Sequence, residues 1–218
     1  MKNLRLALAA LAVLPIADLA YAQEGVLLDY RDRQFRDSQP GVNAAEKARL
    51  AAGLAAVSSD AVKALGKDYF VLGEARGQLA TAGEVDFFLL SLAIPVAAEP
   101  FPDTAAQVIV AMKGKDAVAT YNLPAARQYA QLRSAVDIDG DKTSEVLLES
   151  SGYNMGQLIT NIDVVKLQAA SATSVAQSIP EVYSDTCDNP IGTKARSAKS
   201  VSLSGGKLVD KVYPETCG

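Results

Sequence analysis

The chain has 218 residues, with 21 lysines and arginines against 25 aspartates and glutamates, which gives a net charge of −4 at pH 7. Nucleic-acid binding needs a basic face that neutralises phosphates, and neither this balance nor any local cluster provides one. The sequence also contains no histidine. This excludes Ser-His-Asp and Cys-His nucleophile activation and histidine proton relays, and it leaves Ser-Lys dyads, paired carboxylates and carboxylate-bound metals.

Residues 1–22 have the features of a secretory signal peptide. Lys2 and Arg5 form a basic start, an apolar run follows over 6–16, and a small-x-small pattern predicts cleavage after Ala22. The run is too short to span a bilayer, and no later stretch reaches the roughly 18 apolar residues of a membrane helix. We expect a periplasmic or secreted protein without a transmembrane segment. Its net charge would be −5, because the removed segment carries two basic residues and one acidic residue.

Residues 23–42 mix charged residues with proline and glycine and show no apolar period, so the sequence predicts a linker before a single domain at 43–218. Asn43 and Glu46 have the spacing of a helix capping box. The apolar residues that follow recur at helical spacing, at Leu50, Leu54, Val57, Ala61 and Leu65. This pattern predicts one N-terminal amphipathic helix over 43–66 that packs on a sheet.

From residue 67 onward the apolar period changes to two, which is typical of β-strands. Short apolar segments alternate with turn residues and predict ten strands, at 69–74, 85–93, 107–112, 117–122, 129–136, 145–149, 158–167, 174–183, 195–203 and 207–213. Few connections are long enough for a crossover helix, so neighbouring strands should pair antiparallel in meanders. Phe87 and Phe88 face opposite sides of one strand, which predicts a sheet buried on both faces.

Cys187 and Cys217 are the only cysteines, and the expected export of the chain favours a disulfide between them. Each cysteine ends a similar segment, since 182–187 reads V-Y-S-D-T-C and 212–217 reads V-Y-P-E-T-C. Two strand ends with the same pattern predict a bridge between neighbouring strands that ties down the last hairpin. No C-x-x-C motif is present, so thiol exchange chemistry is not expected.

The segment 137–145 places carboxylates at nearly every second position around a glycine turn, at Asp137, Asp139, Asp141 and Glu145. Carboxylates this close repel one another unless a cation neutralises them, and Ca²⁺ accepts about six to eight oxygen ligands in flexible geometry. A site without histidine or cysteine disfavours zinc and copper. The pattern predicts a calcium site, and the alternative is a solvated acidic turn that binds no metal.

Residues 135–148 resemble the FG-GAP/VCBS repeat of integrin-like β-propellers, in which a strand runs into a D-x-D-G-D-x-x-x-D/E loop and a second strand leaves it. The resemblance implies calcium ligands at the carbonyl oxygen of Thr143 and the carboxylates of Asp137, Asp139, Asp141 and Glu145. It also implies a structural role, because the ion usually braces the blade in that family. Lys142 departs from the pattern, since the family usually has glycine at this position.

A closed integrin-like propeller needs about seven blades, and this chain has room for only two to three sets of four strands. The sequence therefore predicts a mainly β fold of antiparallel, propeller-blade-like meanders packed face to face. The N-terminal helix should cover one open face, and the disulfide should tie down the C-terminal hairpin.

The segment 149–156 follows the strand that leaves the acidic turn, and it holds Tyr153, Asn154 and Met155 between two glycines. Exposed residues of these types suit recognition, so the three form a candidate binding loop. A hairpin turn with its own side-chain packing is the alternative.

Together these features predict an exported, non-catalytic, calcium-binding β domain that acts as an interaction or envelope-associated module, with a protein or a surface glycan as its partner. No catalytic residue is predicted. One alternative is a histidine-independent hydrolase, which would show a concave pocket with two or more carboxylates away from 137–145. Another is an inhibitor or accessory subunit, which would show an exposed apolar patch with a polar rim.

Overall fold

The computed structural model describes residues 25–95, 105–124, 126–168 and 172–217. The predicted signal peptide lies outside these residues. The described part of the chain is mainly β, with 54% of the described residues in strands and 12% in helices, and its sheets are antiparallel, as predicted. Among the described residues, no helix has the length and apolar character needed to cross a membrane.

The described residues form three helices and eleven strands. The helices are α1 (Arg33–Arg36), α2 (Ala44–Ala55) and α3 (Asp60–Leu65). The strands are β1 (Gly25–Asp29), β2 (Phe70–Leu79), β3 (Gly83–Ser91), β4 (Gln107–Lys113), β5 (Asp116–Asn122), β6 (Gln131–Val136), β7 (Glu145–Asn154), β8 (Gln157–Leu167), β9 (Thr173–Asp185), β10 (Arg196–Ser204) and β11 (Lys207–Glu215). All ten predicted strands are present as β2 to β11, and β1 is additional.

The smaller sheet contains four antiparallel strands in the order β2-β3-β4-β5. Phe87 packs with residues of the larger sheet, whereas Phe88 packs with the helices, and both side chains are fully buried. The prediction of a sheet buried on both faces is confirmed, and this sheet is the middle layer of the molecule. Its central strands read as continuous apolar runs because neither face meets water.

Helices α2 and α3 cover the outer face of the smaller sheet. Leu50 of α2 and Leu65 of α3 pack in the same buried cluster as Met112 of β4. Gly53 allows α2 to approach the sheet closely, because a Cβ at this position would lie 2.9 Å from the carbonyl oxygen of Lys115 in the β4–β5 turn. The predicted packing of an N-terminal helical segment on one sheet face is therefore present.

The helix predicted over 43–66 is two helices in the structure, with a short break between them. The start is as predicted, since the Asn43 side chain accepts a hydrogen bond from the Glu46 N–H at 2.9 Å. Ser59 lies in an extended conformation just before α3. Serine competes for backbone hydrogen bonds inside helices and favours helix starts, which explains why Ser58 and Ser59 separate the two segments.

The larger sheet contains seven antiparallel strands and nearly closes on itself. Its order is β1-β10-β9-β8-β7-β6, and β11 also pairs with β10. The two ends of this path approach each other, because Arg133 on β6 donates hydrogen bonds to the carbonyl oxygens of Phe35 and Arg36 shortly after β1. Across the same gap, the Tyr30 hydroxyl donates to Glu149 on β7 at 2.6 Å.

Residues 23–42, predicted as a linker, include β1 and α1, so that prediction is wrong for the described part of the segment. β9 pairs with β10 only at 196–198, which leaves the following residues of β10 free to pair with β1. Leu28 in β1 is fully buried. A strand of five residues is too short to show a clear apolar period in the sequence. It forms because part of β10 has a free hydrogen-bonding edge.

A disulfide joins Cys187 and Cys217, as predicted. Cys187 follows β9 and Cys217 follows β11, but these strands are not neighbours, because β10 lies between them. The bridge therefore links two strands that flank a third. The prediction that it joins neighbouring strands is wrong, because β10 lies between β9 and β11.

The similar segments that end in the two cysteines occupy equal registers on the two sides of β10. Tyr183 and Tyr213 both lie opposite Ala198, and the acidic residues two positions later both lie opposite Arg196. The similarity in sequence therefore corresponds to a local symmetry about β10.

The two sheets pack face to face through a buried cluster that includes Phe87, Leu132 and Leu148. β2 approaches β6 closely at Gly73, where φ is +124° and a Cβ would lie 2.6 Å from the carbonyl oxygen of Leu132. Only glycine fits both the conformation and the contact. This junction brings the smaller sheet against the strand that leads into the acidic turn.

Candidate metal centre

The acidic turn connects β6 to β7 and is anchored on both sheets. Val136 and Glu145 pair across its base. Ile138 packs against the apolar cluster of the larger sheet. On the other side, Ser144 exchanges two hydrogen bonds with the backbone of Gln78 on β2, at 2.8 and 2.9 Å. These anchors fix the turn where the two sheets meet.

Three of the residues predicted as ligands come together. Asp137, Asp139 and Glu145 each offer one carboxylate oxygen, and these oxygens all lie within 4.8 Å of one another. Two oxygens that each lie about 2.4 Å from a shared Ca²⁺ can be at most about 4.8 Å apart. The spacing therefore suits a single calcium ion.

Backbone N–H groups shape the rest of the turn. Asp137 accepts hydrogen bonds from two N–H groups of the turn, at 2.8 and 2.9 Å. Asp141 accepts the N–H of Thr143 at 2.7 Å and is not among the three converging carboxylates. The Thr143 hydroxyl accepts the N–H of Ala80 after β2 at 3.4 Å. The structure thus gathers three of the four predicted carboxylates and leaves Asp141 outside the group.

Glu145 is the buried member of the group, with only 3% of its surface exposed. Its Oε2 accepts the N–H of Ile138 at 2.9 Å. Burial raises the pKa of Glu145 because it disfavours the charged form, and the Ile138 N–H opposes this shift. A cation bound nearby would favour the charged form again.

Lys166 on β8 supplies a positive charge to the same group. Its Nζ forms an ion pair with Asp139 and lies 3.7 Å from Oε1 of Glu145. The hydrogen bond from Lys166 lowers the pKa of Asp139, and the same hydrogen bond raises the pKa of Lys166. Its ammonium group therefore neutralises part of the charge that a metal ion would neutralise.

Sequence reasoning missed Lys166, although the position of the β7–β8 turn contains the signal. Once Asn154 is paired with Gln157, the antiparallel register can be followed away from the turn, with numbers falling along β7 and rising along β8. This places Lys166 directly opposite Glu145. A basic residue opposite a predicted ligand could therefore have been found from the register alone.

The residues predicted as a binding loop lie at the tip of the β7–β8 hairpin. Tyr153 and Asn154 end β7, and Met155 and Gly156 form a two-residue turn in which both φ angles are positive, a pattern of type I′ hairpins. Tyr153 and Met155 are 44% and 61% exposed. A side chain at Gly156 would collide with the backbone of Asp188, so the turn packs against the segment beside the disulfide.

A polar cavity of about 540 Å³ lies where the larger sheet nearly closes. Its lining includes the carboxylates of Glu149 and Asp185, away from the acidic turn. Glu149 accepts hydrogen bonds from Arg133 and from the Tyr30 hydroxyl, both at 2.6 Å. Asp185 forms an ion pair with Arg196 at 2.8 Å. Both carboxylates are therefore already neutralised by arginine.

No protein-family model, curated protein or solved structure matches the chain. Function is therefore inferred from the geometry and chemistry of the sites. The disulfide is compatible with a location outside the reducing cytoplasm, where such bonds persist.

Proposed function

We propose that the protein is an exported, non-catalytic β module that binds one Ca²⁺ at the β6–β7 turn. The observation that carries this proposal is the convergence of the Asp137, Asp139 and Glu145 carboxylates within a distance that one calcium ion spans. Asp141 and the carbonyl oxygen of Thr143 are further proposed ligands, on the basis of the FG-GAP/VCBS resemblance.

The proposed role of the ion is structural. The turn is hydrogen bonded to β2 through Ser144 and packed on the larger sheet through Ile138. Neutralising the repulsion between its carboxylates would therefore stabilise the junction between the two sheets. The module would recognise a protein or a surface glycan, with Tyr153 and Met155 as exposed candidates at the β7–β8 hairpin tip, at the opposite end of β7 from the metal site.

Calcium must compete with Lys166 at this site. The ammonium group already contacts Asp139 and lies close to Glu145, so calcium binding requires that it move away. We therefore expect a site of modest affinity, and we expect removal of this charge to strengthen calcium binding.

The first experiment measures thermal unfolding of the exported protein with excess Ca²⁺ and with excess chelator. Calcium should raise the melting temperature of the wild type, and Asp139→Ala should abolish the rise because it removes one converging carboxylate. Lys166→Met should enlarge the rise, since it removes the competing cation. Asp116→Ala, which changes an exposed aspartate at the start of β5, serves as the matched control and should respond as the wild type does.

A melting temperature that is the same in calcium and in chelator, for both the wild type and Lys166→Met, would remove calcium from the proposal. In that case Lys166 is the permanent neutralising group, and the turn is the solvated alternative.

A histidine-independent hydrolase is the second candidate, because the lining of the polar cavity contains three acidic residues away from the acidic turn, Asp37, Glu149 and Asp185. A general acid at neutral pH needs a raised pKa, whereas the hydrogen bonds to Asp185 lower its pKa despite the opposing effect of burial. This supports the non-catalytic proposal. Hydrolytic activity that Glu149→Gln and Asp185→Asn each abolish without unfolding the protein would favour the enzyme instead.

A further inference from the structure

An apolar groove lies between the two helices that cover the smaller sheet. It has a volume of about 400 Å³, within the range of roughly 300–1,000 Å³ that is usual for small-molecule sites. Its walls are formed mainly by Ala51, Leu54, Ala55, Val62, Leu65 and Tyr69. The groove exists because the helical segment breaks before Ser59, which separates α2 from α3.

Two lysines also line this apolar groove, Lys47 on α2 and Lys67 after α3. Neither forms an ion pair or a side-chain hydrogen bond with another residue that the structure describes. Neighbouring basic residues are different, since Lys63 pairs with Asp60 at 3.1 Å and Arg49 pairs with Asp86 at 3.1 Å. In a protein of net negative charge, the groove therefore combines apolar walls with two uncompensated positive charges.

Tyr69 adds a hydrogen-bond donor to the same lining. The residue is only 8% exposed, and its hydroxyl has no hydrogen-bond partner within the described part of the chain. Every fully buried polar side-chain atom in that part does have a partner, so this hydroxyl reaches accessible space. Burial raises the pKa of Tyr69, and the hydroxyl remains a donor at neutral pH.

We propose that this groove binds one amphiphile with an aliphatic chain and a single anionic head, of which a medium-chain carboxylate is the simplest form. The apolar walls remove the chain from water, and the two lysines and the tyrosine hydroxyl complement the carboxylate. A membrane surface would need a broad basic face, whereas two uncompensated lysines match one anionic group. The site is separate from the acidic turn and does not depend on calcium.

The first test is isothermal titration of the exported protein with octanoate, decanoate and dodecanoate, each below its micelle concentration. Binding should saturate at one equivalent, and affinity should rise up to about fourfold per added methylene until the groove is filled. Dodecanol should bind less tightly than dodecanoate, because it lacks the charge. Equal binding of the alcohol and the carboxylate would overturn the proposed role of the lysines.

Matched variants localise the site. The double variant Lys47→Gln/Lys67→Gln should weaken dodecanoate binding about tenfold, whereas Lys63→Gln, which changes a neighbouring lysine that already has a partner, should leave it unchanged. Ala51→Phe adds a large side chain at an exposed position of the lining and should block binding while the melting temperature is retained. The double lysine variant tests the contribution of charge to binding, and Ala51→Phe tests whether the ligand occupies the groove.

Two other occupants of the groove would contradict the proposal. Binding to vesicles of anionic phospholipid, together with no binding of monomeric dodecanoate, would identify a membrane surface as the ligand. A concentration-dependent dimer that Ala51→Phe dissociates, again with no dodecanoate binding, would identify a second copy of the chain. Calcium and chelator should give the same dodecanoate affinity, so the proposal can fail or succeed independently of the metal site.

Discussion

At the scale of single residues, Lys142 holds a backbone conformation that L-amino acids rarely adopt. Its φ is +68°, at the position where the FG-GAP/VCBS pattern has glycine. A non-glycine residue in this region costs on the order of 1 kcal/mol. Lysine therefore occupies a left-handed position under strain.

Two substitutions of Lys142 should separate the effect of its backbone strain on stability from the effect of its charge. We expect Lys142→Gly to raise the free energy of unfolding by about 0.5–1 kcal/mol, because glycine adopts the left-handed conformation without strain. Lys142→Ala removes the same charge and keeps the strain, so it should change stability little. Urea unfolding in the presence of chelator measures both effects, and an equal gain in the two variants would point to charge as the cause.

Asp185 gives a second prediction at the scale of single residues, which concerns the stability of the fold at acid pH. Burial tends to raise the pKa of Asp185, but hydrogen bonds from the Cys187 N–H, Arg196 and the Tyr183 hydroxyl outweigh it and hold the pKa below the usual 3.8. The stabilisation from the ionised carboxylate is therefore fully present above pH 3.8. It is lost as the pH falls through the lower pKa of the folded state.

The Asp185→Asn variant should thus be less stable than the wild type at pH 6, and the difference should shrink between pH 4 and pH 2. Urea unfolding across this range measures it, with Asp116→Asn as the exposed control. A difference that stays constant down to pH 2 would show that the loss comes from packing and not from ionisation.

Much of the candidate site could be predicted at the residue scale, because alternation along the chain is enough to bring side chains around a turn. Asp137, Asp139 and Glu145 converge for this reason. Asp141 does not join them, and its carboxylate accepts the N–H of Thr143 instead; which carboxylates converge depends on the conformation of the turn. Lys166 was missed because it comes from another strand.

At the scale of secondary-structure elements, Gly53 shows how packing outweighs intrinsic preference. Alanine is about 1 kcal/mol better than glycine inside a helix. At Gly53, however, an added Cβ would lie 2.9 Å from the carbonyl oxygen of Lys115, which belongs to rigid backbone. The close approach of α2 to the smaller sheet depends on the missing side chain.

We therefore expect Gly53→Ala to lower the free energy of unfolding by about 1–3 kcal/mol, against its helix propensity. The control is Ala52→Gly, at the adjacent exposed position, which should cost about 1 kcal/mol from propensity alone. Chemical denaturation of both variants gives the comparison. Stabilisation by Gly53→Ala would show that α2 does not pack as tightly as the structure indicates.

The strands were predictable as elements because a half-buried or fully buried strand must show apolar residues at fixed positions. The missed strand β1 and the helix break have different causes. β1 forms because β9 leaves part of β10 unpaired, which is a property of the sheet and not of residues 25–29. The break before Ser59 reflects local serine chemistry that the apolar period of the helix concealed.

At the scale of the whole molecule, the disulfide links strands that are distant in hydrogen-bonding order. Its cysteines are 30 residues apart in the chain. On the chain-entropy description, closing such a loop stabilises the fold by about 3 to 4 kcal/mol, mainly through the unfolded state. The bridge also confirms that the two cysteines pair, as their number and the expected export predicted.

The double variant Cys187→Ser/Cys217→Ser should lose this stabilisation in urea unfolding. Its stability should also be insensitive to reductant, whereas reductant should lower that of the wild type. Mass spectrometry of the exported protein should give a chain that starts at Gln23 and contains no free thiol. A chain that starts at Met1, or a free thiol, would contradict the proposed export or the bridge.

The antiparallel fold could be predicted because short connections allow little else. The near closure of the larger sheet could not be predicted from the sequence, since it depends on which strand edges meet after the sheet has curved. The polar cavity that forms at that gap was invisible to sequence reasoning for the same reason. Arg133 and Glu149, which pair beside it, lie 16 residues apart and carry no motif.

The pairing of β1 with β10 also constrains how the polypeptide can acquire its shape during synthesis. β1 must wait for β10, the tenth of the eleven described strands in chain order, so the larger sheet is completed late. Under the proposed export, a sheet that closes only after β10 has been made leaves the chain unfolded for longer and so suited to a channel that threads unfolded chains.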